Sequence, residues 1–173
     1  MNLIVAVDAE WGIGYKNDLL ARVRADLQNF RKTTQGKVVV YGFNTLATFP
    51  GGKGLKNRTN IVLTRKKDFS GENIIVANSI DHLTGILKNY DSSDVFVIGG
   101  ESIYRQLVDM CDTAYVTKFY HSFNKDAYMP NLDQDPSWVC TETGEPMYSD
   151  GQTDSIDGME YRFLIYKKAH ANE

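Results

Sequence analysis

The sequence predicts an α/β protein built on a central, mostly parallel twisted sheet of about eight strands, with an antiparallel C-terminal hairpin and about four flanking helices. Three observations carry this expectation. Short β-branched or aromatic runs recur along the chain, and helical patterns lie between them. Near-continuous apolar runs such as Val38-Val39-Val40 call for burial on both faces of a sheet, hence for covering helices and parallel pairing. A chain of 173 residues with ordinary apolar and charged fractions suits one domain with a real core, here residues 1–168, followed by a frayed tail at 169–173.

In order, strands are expected at Leu3–Val7, Val38–Tyr41, Asn60–Leu63, Ile74–Val76, Val95–Ile98, Ala114–Tyr120 and Arg162–Lys167. Helices are expected at Arg24–Thr33, as a short turn after Asn44, at Ser79–Tyr90 with Ser79 as its cap, and at Ser102–Met110. Asp, Ser and Gly around Tyr148–Gly158, ahead of the final strand, indicate an antiparallel hairpin with a loop rather than another βαβ unit. The segment Trp11–Leu19 reads as a flexible loop with glycine hinges, in which Ile13 and Leu19 offer apolar cover for a bound ring.

Bulk chemistry narrows the function. A net charge of −3 gives no general attraction to nucleic acid or anionic lipid, so any anion site is local. Cys111 and Cys140 have no CxxC spacing and suit reduced, cytosolic thiols. The run Leu3–Val7 is cut by Asp8 and is too short for a signal peptide or a membrane span. His82, His121 and His170 are scattered, so no metal is expected, and no GxSxG elbow supports covalent catalysis. Hydride transfer needs no such nucleophile.

Val23, Asp26, Leu27 and Phe30 stand at i, i+3, i+4 and i+7, which places a carboxylate in the apolar stripe of the first helix. Desolvation there would raise its pKa and make it a useful acid near neutral pH. The alternative is that Asp26 only complements the positive end of the helix. Two strand-to-helix junctions, Tyr41-Gly42-Phe43-Asn44-Thr45 and Ile98-Gly99-Gly100-Glu101-Ser102-Ile103-Tyr104, can aim backbone N–H groups at phosphate; a pair of them suits a pyrophosphate. Gly12-Ile13-Gly14 lacks the third glycine of a Rossmann fingerprint, because position 17 is Asn. Lys53, Lys56, Arg58, Arg65, Lys66 and Lys67 flank one strand; Arg58 and Arg65, at its two ends, are the candidates for holding a carboxylate or phosphate, and the others read as solvated charge.

These residues fall into ordered motifs. Ile13-Gly14-Tyr15-Lys16-Asn17, Ala25-Asp26-Leu27-Gln28-Asn29-Phe30, Gly42-Phe43-Asn44-Thr45, Asn57-Arg58-Thr59-Asn60-Ile61-Val62-Leu63-Thr64-Arg65 and Val97-Ile98-Gly99-Gly100, then Tyr104, Thr117 and Lys125-Asp126-Ala127-Tyr128-Met129-Pro130, resemble bacterial-type dihydrofolate reductase over nearly the whole chain. The resemblance implies that fold, a cytoplasmic monomer, NADPH as cofactor, and dihydrofolate and antifolate inhibitors as ligands, in the service of one-carbon metabolism. It implies that Asp26, helped by Thr117, hydrogen-bonds the pterin, and that the carbonyls of Ile4 and Ile98 hold an inhibitor's exocyclic amine. Val5, Ala6, Leu19, Leu27, Phe30, Phe49, Leu55 and Tyr104 would complete the substrate site, with Arg58 on the glutamate carboxylate. Ala6, Ile13 and Leu19 would enclose the nicotinamide, and Gly14, Asn17 and Ile98 would also belong to the cofactor site. Gly42, Phe43, Asn44 and Thr45, with Gly99, Gly100, Glu101, Ser102, Ile103 and Tyr104, would bind the pyrophosphate, Thr64 and Arg65 would meet the ribose 2′-phosphate, and Leu63 would also belong to the cofactor site. A cis peptide is expected at Gly99–Gly100.

Three positions depart from the family pattern. Leu20-Ala21 replace a usual Pro-Trp, so loop closure and the proton route are expected to differ. Phe43 replaces a usual Arg, so NADPH preference is expected to rest more heavily on Arg65, with weaker selectivity over NADH. Ala127 replaces a common Thr, so altered loop-to-loop hydrogen bonding is expected. The rival readings are a riboflavin-pathway reductase domain and a non-catalytic folate- or nucleotide-binding protein.

Overall fold

The computed structural model describes residues 1–169; His170 and the remainder of the expected tail lie outside the described residues. The chain opens with β1 (Asn2–Val7), then β2 (Gly12–Tyr15), β3 (Asp18–Leu19) and α1 (Arg24–Thr34). There follow β4 (Val38–Gly42), α2 (Phe43–Thr48), β5 (Thr59–Leu63), β6 (Ile74–Ala77) and α3 (Ile80–Leu87). Next come β7 (Val95–Gly99), α4 (Glu101–Leu107), β8 (Thr113–Phe119) and β9 (Ala127–Tyr128), and the described part closes with β10 (Trp138–Thr143), β11 (Met147–Tyr148) and β12 (Glu160–Lys168).

Nine of these strands form the main sheet, in the order β10-β12-β8-β1-β7-β4-β5-β6, with β11 also paired to β12. Pairing is parallel from β8 to β6 and antiparallel where β12 meets β8, β10 and β11. The expected mixture is therefore present. Alternation sends Leu3, Val5, Val7, Val38 and Val40 into one core with Leu83 of α3 and Leu107 of α4. Val39, Tyr41 and Val62 point into another with Leu46 of α2. Each fully buried Val or Leu contributes roughly 1.5–3 kcal/mol, which is why strands buried on both faces are the strongest signal in the sequence.

The chain lays down β1, β4, β5 and β6 in one direction across the sheet, then returns to insert β7 between β1 and β4. That reversal leaves a crevice at the carboxyl ends of β1, β7, β4 and β5, the place where open α/β sheets hold ligands. Helix α1 does not simply seal the sheet. Its stripe runs from buried Val23 through half-buried Asp26 and Phe30 to Leu27, which is 39% exposed, so much of its apolar face looks into the crevice.

Several expectations need correction. Trp11–Leu19 is not a plain loop: β2 and β3 form a hairpin around Lys16-Asn17, both at positive φ (50° and 64°), and β2 pairs with β9 in a second, three-stranded sheet. A two-residue turn of this kind usually advertises itself with glycine; Lys-Asn does not. Strand β10 escaped notice because only Trp138 in it is buried, so no apolar alternation marks it. Helix α3 stops at Leu87, and the expected residues to Tyr90 continue as i→i−3 turns. Helix α4 likewise tightens to a 3₁₀ turn over Val108–Met110. Ser79 does cap α3, accepting from the His82 N–H at 3.0 Å. The peptide between Gly99 and Gly100 is cis. No helix among the described residues is long and apolar enough to cross a membrane.

Candidate active site

A cleft of about 1440 Å³ runs along the carboxyl ends of the central strands. Every residue assigned to a binding or catalytic role in the sequence lines it, with the exception of Thr117. Thr117, buried on β8, approaches Asp26 from behind the wall instead.

Asp26 lies on the cleft wall in the first turn of α1. Burial raises its pKa above the ordinary carboxylate value, and the hydrogen bond with the Thr117 hydroxyl partly opposes that rise. No Lys, Arg or His pairs with it among the described residues. A desolvated acid without a cation is poised to hold a proton or accept one from a ligand N–H. Ile4, Val5 and Ala6 of β1 lie across from it with Ile98 of β7. The buried Tyr104 hydroxyl donates to the Ile4 carbonyl at 2.7 Å, which orients that carbonyl at the end of the wall.

The apolar neck of this half is Leu27, Phe30, Phe49 and Leu55, with Arg58 at its outer end. Arg58 Nε is buried with no acceptor among the described residues, and its guanidinium lies 5.9 Å from the Phe30 ring centre. Burial, then the charge of Arg31, lowers the Arg58 pKa. A shielded guanidinium N–H without a partner, beside a second cation, is an unfilled place for an anion. Arg31 was not singled out in the sequence, nor was Asn60, which builds this corner. The buried Asn60 side chain accepts from Tyr41 Oη at 2.8 Å and from Leu55 N at 2.9 Å, and donates to the carbonyls of Leu55 (2.9 Å) and Arg58 (3.2 Å). All four of its bonds are made, so Leu55 and Arg58 are held by a residue that looks, in sequence, like any polar strand position. Burial pushes Tyr41 up to about 12, which keeps it a donor in this network.

The other half of the cleft is lined by small residues and helix starts. Gly42 ends β4 so close to α4 that a Cβ there would stand 3.0 Å from Ile103 Cγ1. Gly99 has a φ of 125°, open to glycine alone. A Cβ on Gly100 would stand 3.4 Å from Thr45 Oγ1, so the two junctions face each other across the space. Neither α2 nor α4 has a side-chain cap, which leaves first-turn N–H groups such as those of Asn44 and Ser102 for an outside acceptor. Beyond them Leu63, Thr64, Arg65 and Lys66 continue the wall after β5. Hydroxyls, free N–H groups and cations around a gap that side chains would fill make a donor set suited to a dinucleotide's phosphates. Glu101 lines the cleft too, but its carboxylate accepts the Tyr128 N–H, so it ties α4 to β9.

Ile13, Gly14, Asn17 and Leu19 of the β2–β3 hairpin form the lid side of this half. Despite Ala127, the segments are joined: Asp126 accepts from Lys16 N at 3.0 Å and donates its own N–H to Gly14 O at 3.0 Å. Below, fully buried Asp8 accepts from Glu10 N, Gly12 N and Phe123 N at 3.0, 2.9 and 3.1 Å and pairs with Lys125 Nζ at 2.9 Å. The β8–β9 connection is thereby bolted to the loop that starts the hairpin. At the place of the family's Trp, Ala21 packs with Val23, Met159 and Tyr161, and Arg22 is bonded on both its N–H and its carbonyl to Ser155.

Comparison with known proteins agrees with this geometry. The family model described as Dihydrofolate reductase matches residues 1–168. A dihydrofolate reductase of Staphylococcus haemolyticus is 32% identical over 168 residues, covering 97% of this chain and 95% of the relative. One of Bacillus subtilis (strain 168) is 31% identical over 173 residues, covering 100% and 97%. A solved structure, a dihydrofolate reductase from Enterococcus faecalis complexed with NADP(H) and RAB-propyl, superposes with a TM-score of 0.84 at 27% identity, over 98% of this chain and 96% of that one. On a full-length family match and full-length relatives together, the chain belongs to the dihydrofolate reductase family.

Proposed function

We propose that the chain, acting as a single-domain cytoplasmic monomer, catalyses NADPH-dependent reduction of 7,8-dihydrofolate to 5,6,7,8-tetrahydrofolate, with hydride delivered to C6 and a proton to N5. The observation that carries this reading is the half-buried, cation-free Asp26 at one end of an apolar ring slot and the orphaned Arg58 guanidinium at the other. A flat, N–H-rich heterocycle with an anionic tail fits that sequence of groups.

Asp26 accepts the pterin's N–H donors and raises the proton affinity at N5, and the proton itself arrives from water. Burial raises the Asp26 pKa by more than the Thr117 bond lowers it, which favours a proton held at this site or shared with a ligand N–H. Leu27, Phe30, Phe49 and Leu55 hold the rings by apolar contact, and Arg58 takes the glutamate carboxylate, which satisfies Nε. NADPH supplies the hydride. Around it, Gly42, Gly99 and Gly100 give room for close approach, the open N–H groups of α2 and α4 receive the pyrophosphate, and Thr64 and Arg65 receive the 2′-phosphate. Ala6, Ile13 and Leu19 exclude water from the nicotinamide.

The test is loss of NADPH near-ultraviolet absorbance on addition of dihydrofolate, repeated with methotrexate. Folate-dependent oxidation that methotrexate stops is expected. No folate-dependent oxidation would defeat the reading, and oxidation with a ribosyl-pyrimidine instead would favour the riboflavin-pathway chemistry.

A further inference from the structure

We infer that Lys66 is a second specificity residue for the cofactor's ribose 2′-phosphate, held in place by the ring of Phe43. The inference rests on the proposed use of NADPH. Strands β4 and β5 are parallel neighbours in which Gly42 pairs with Leu63, so the residue after Gly42 and the turn after Leu63 come out side by side at the rim of the cleft. Phe43 and Lys66 occupy those places, and both line the cleft with Thr64 and Arg65.

The Phe43 ring is set edge-on against Phe69, with centroids 5.0 Å apart and planes at 86°. Lys66 Nζ sits 4.0 Å from the Phe43 ring centre, well within cation–π reach. The backbone that carries Lys66 is held as well. Its N–H donates to Thr64 Oγ1 at 3.2 Å, and the Asn78 side-chain amide donates to the carbonyls of Thr64 (2.8 Å) and Lys66 (3.3 Å). Neither Arg65 nor Lys66 pairs with a carboxylate among the described residues. Two cations therefore stand at one rim with no anion between them. An aromatic ring, unlike a carboxylate, leaves the ammonium's charge unneutralised, so a flexible Lys is localised without being consumed. Where the family arginine would have reached the 2′-phosphate from position 43, this chain keeps the charge nearby and uses position 43 to steady it. Lys66 would thus share with Arg65 the selectivity that the resemblance puts more heavily on Arg65.

The test is calorimetric titration of the intact protein with adenosine 2′,5′-bisphosphate and with 5′-AMP, which differ in the 2′-phosphate. Lys66→Met is expected to weaken the bisphosphate about tenfold, the low end for a charged hydrogen bond at an exposed site, while 5′-AMP changes by less than about twofold. Lys66→Arg is expected to keep most of the preference, and Phe43→Leu to lose part of it. Lys66 is exposed, so an unchanged melting temperature checks the fold. Parent-like bisphosphate binding in Lys66→Met, or equal loss of both nucleotides, overturns the role of Lys66. Equal loss of both in Phe43→Leu overturns the platform, because it means the ring stacks on adenine. A parent that does not prefer the bisphosphate defeats the NADPH reading itself.

Discussion

Asp8 and Asp26 both stand near the carboxyl end of β1, and the fold takes both out of bulk water, yet it provides for them in opposite ways. Asp8 is the deeper of the two, fully buried, and it receives three backbone N–H groups and a lysine. Asp26 is only half-buried, and a lone hydroxyl from Thr117 answers it. The first carboxylate is saturated and has no capacity left for a ligand; it joins two segments of chain. The second has its hydrogen-bonding capacity turned toward an open cleft. Reactivity in this molecule follows from missing partners more than from depth of burial.

The sharpest way to break that contrast is to neutralise each acid in turn. Asp26→Asn is expected to lower turnover near neutral pH by roughly 10²- to 10⁴-fold, with partial recovery in acid. Steady-state kinetics with saturating NADPH and dihydrofolate measures it. Next in size is Arg58→Leu, which removes the other unsatisfied group of the same half-cleft. It is expected to raise KM for dihydrofolate by about 1.5–3 kcal/mol, or roughly 10- to 100-fold, with kcat little changed. An unaltered KM would remove Arg58 from the site.

Asp8→Asn should act on the other side of the comparison. Lys125 would lose its buried partner and three backbone donors a charged acceptor, and the melting temperature is expected to fall by on the order of 10 °C, with turnover per folded molecule reduced less than tenfold. Scanning calorimetry beside an activity assay tells the two effects apart.

The smallest effect has the opposite sign. Because the folded pKa of Asp26 is raised, the folded state binds its proton more tightly than the unfolded state does. Stability is then greatest below the unfolded carboxylate range and declines as pH rises from there through the raised folded value. Above the folded value the ionised, desolvated group costs stability, so at a pH above it Asp26→Asn should raise the melting temperature by about 2–4 °C, the shift for roughly 1 kcal/mol in a domain of this size. A melting temperature that falls would mean Asp26 is a structural acid like Asp8.

How much of this was legible in the sequence follows the range of the interactions involved. Strands buried on both faces announced themselves, since Val38-Val39-Val40 needs nothing distant to be read as a central strand. Asp26 was visible as a local anomaly, a carboxylate in an apolar stripe, though its reading as chemistry rather than helix capping needed the surrounding motifs. The hairpin β2–β3 was missed because its signals are a two-residue turn without glycine and a strand of two residues. Asn60, Arg31 and the Asp8–Lys125 pair were missed for a different reason. Asp8 and Lys125 are 117 positions apart in number and meet only after β1 and β8 pair along six residues. Phe43 and Lys66 are joined in the same way by the register of β4 and β5, which is why Lys66 passed for ordinary solvated charge.

The central claim, that an uncompensated Asp26 assists hydride reduction of dihydrofolate, is tested most directly by the pH dependence of NADPH oxidation with dihydrofolate in the parent and in Asp26→Asn. The parent is expected to lose turnover as pH rises through a pKa above the ordinary carboxylate value. Asp26→Asn should lack that titration and approach the parent only in acid. A variant that keeps the parent's rate and pH profile would contradict the account.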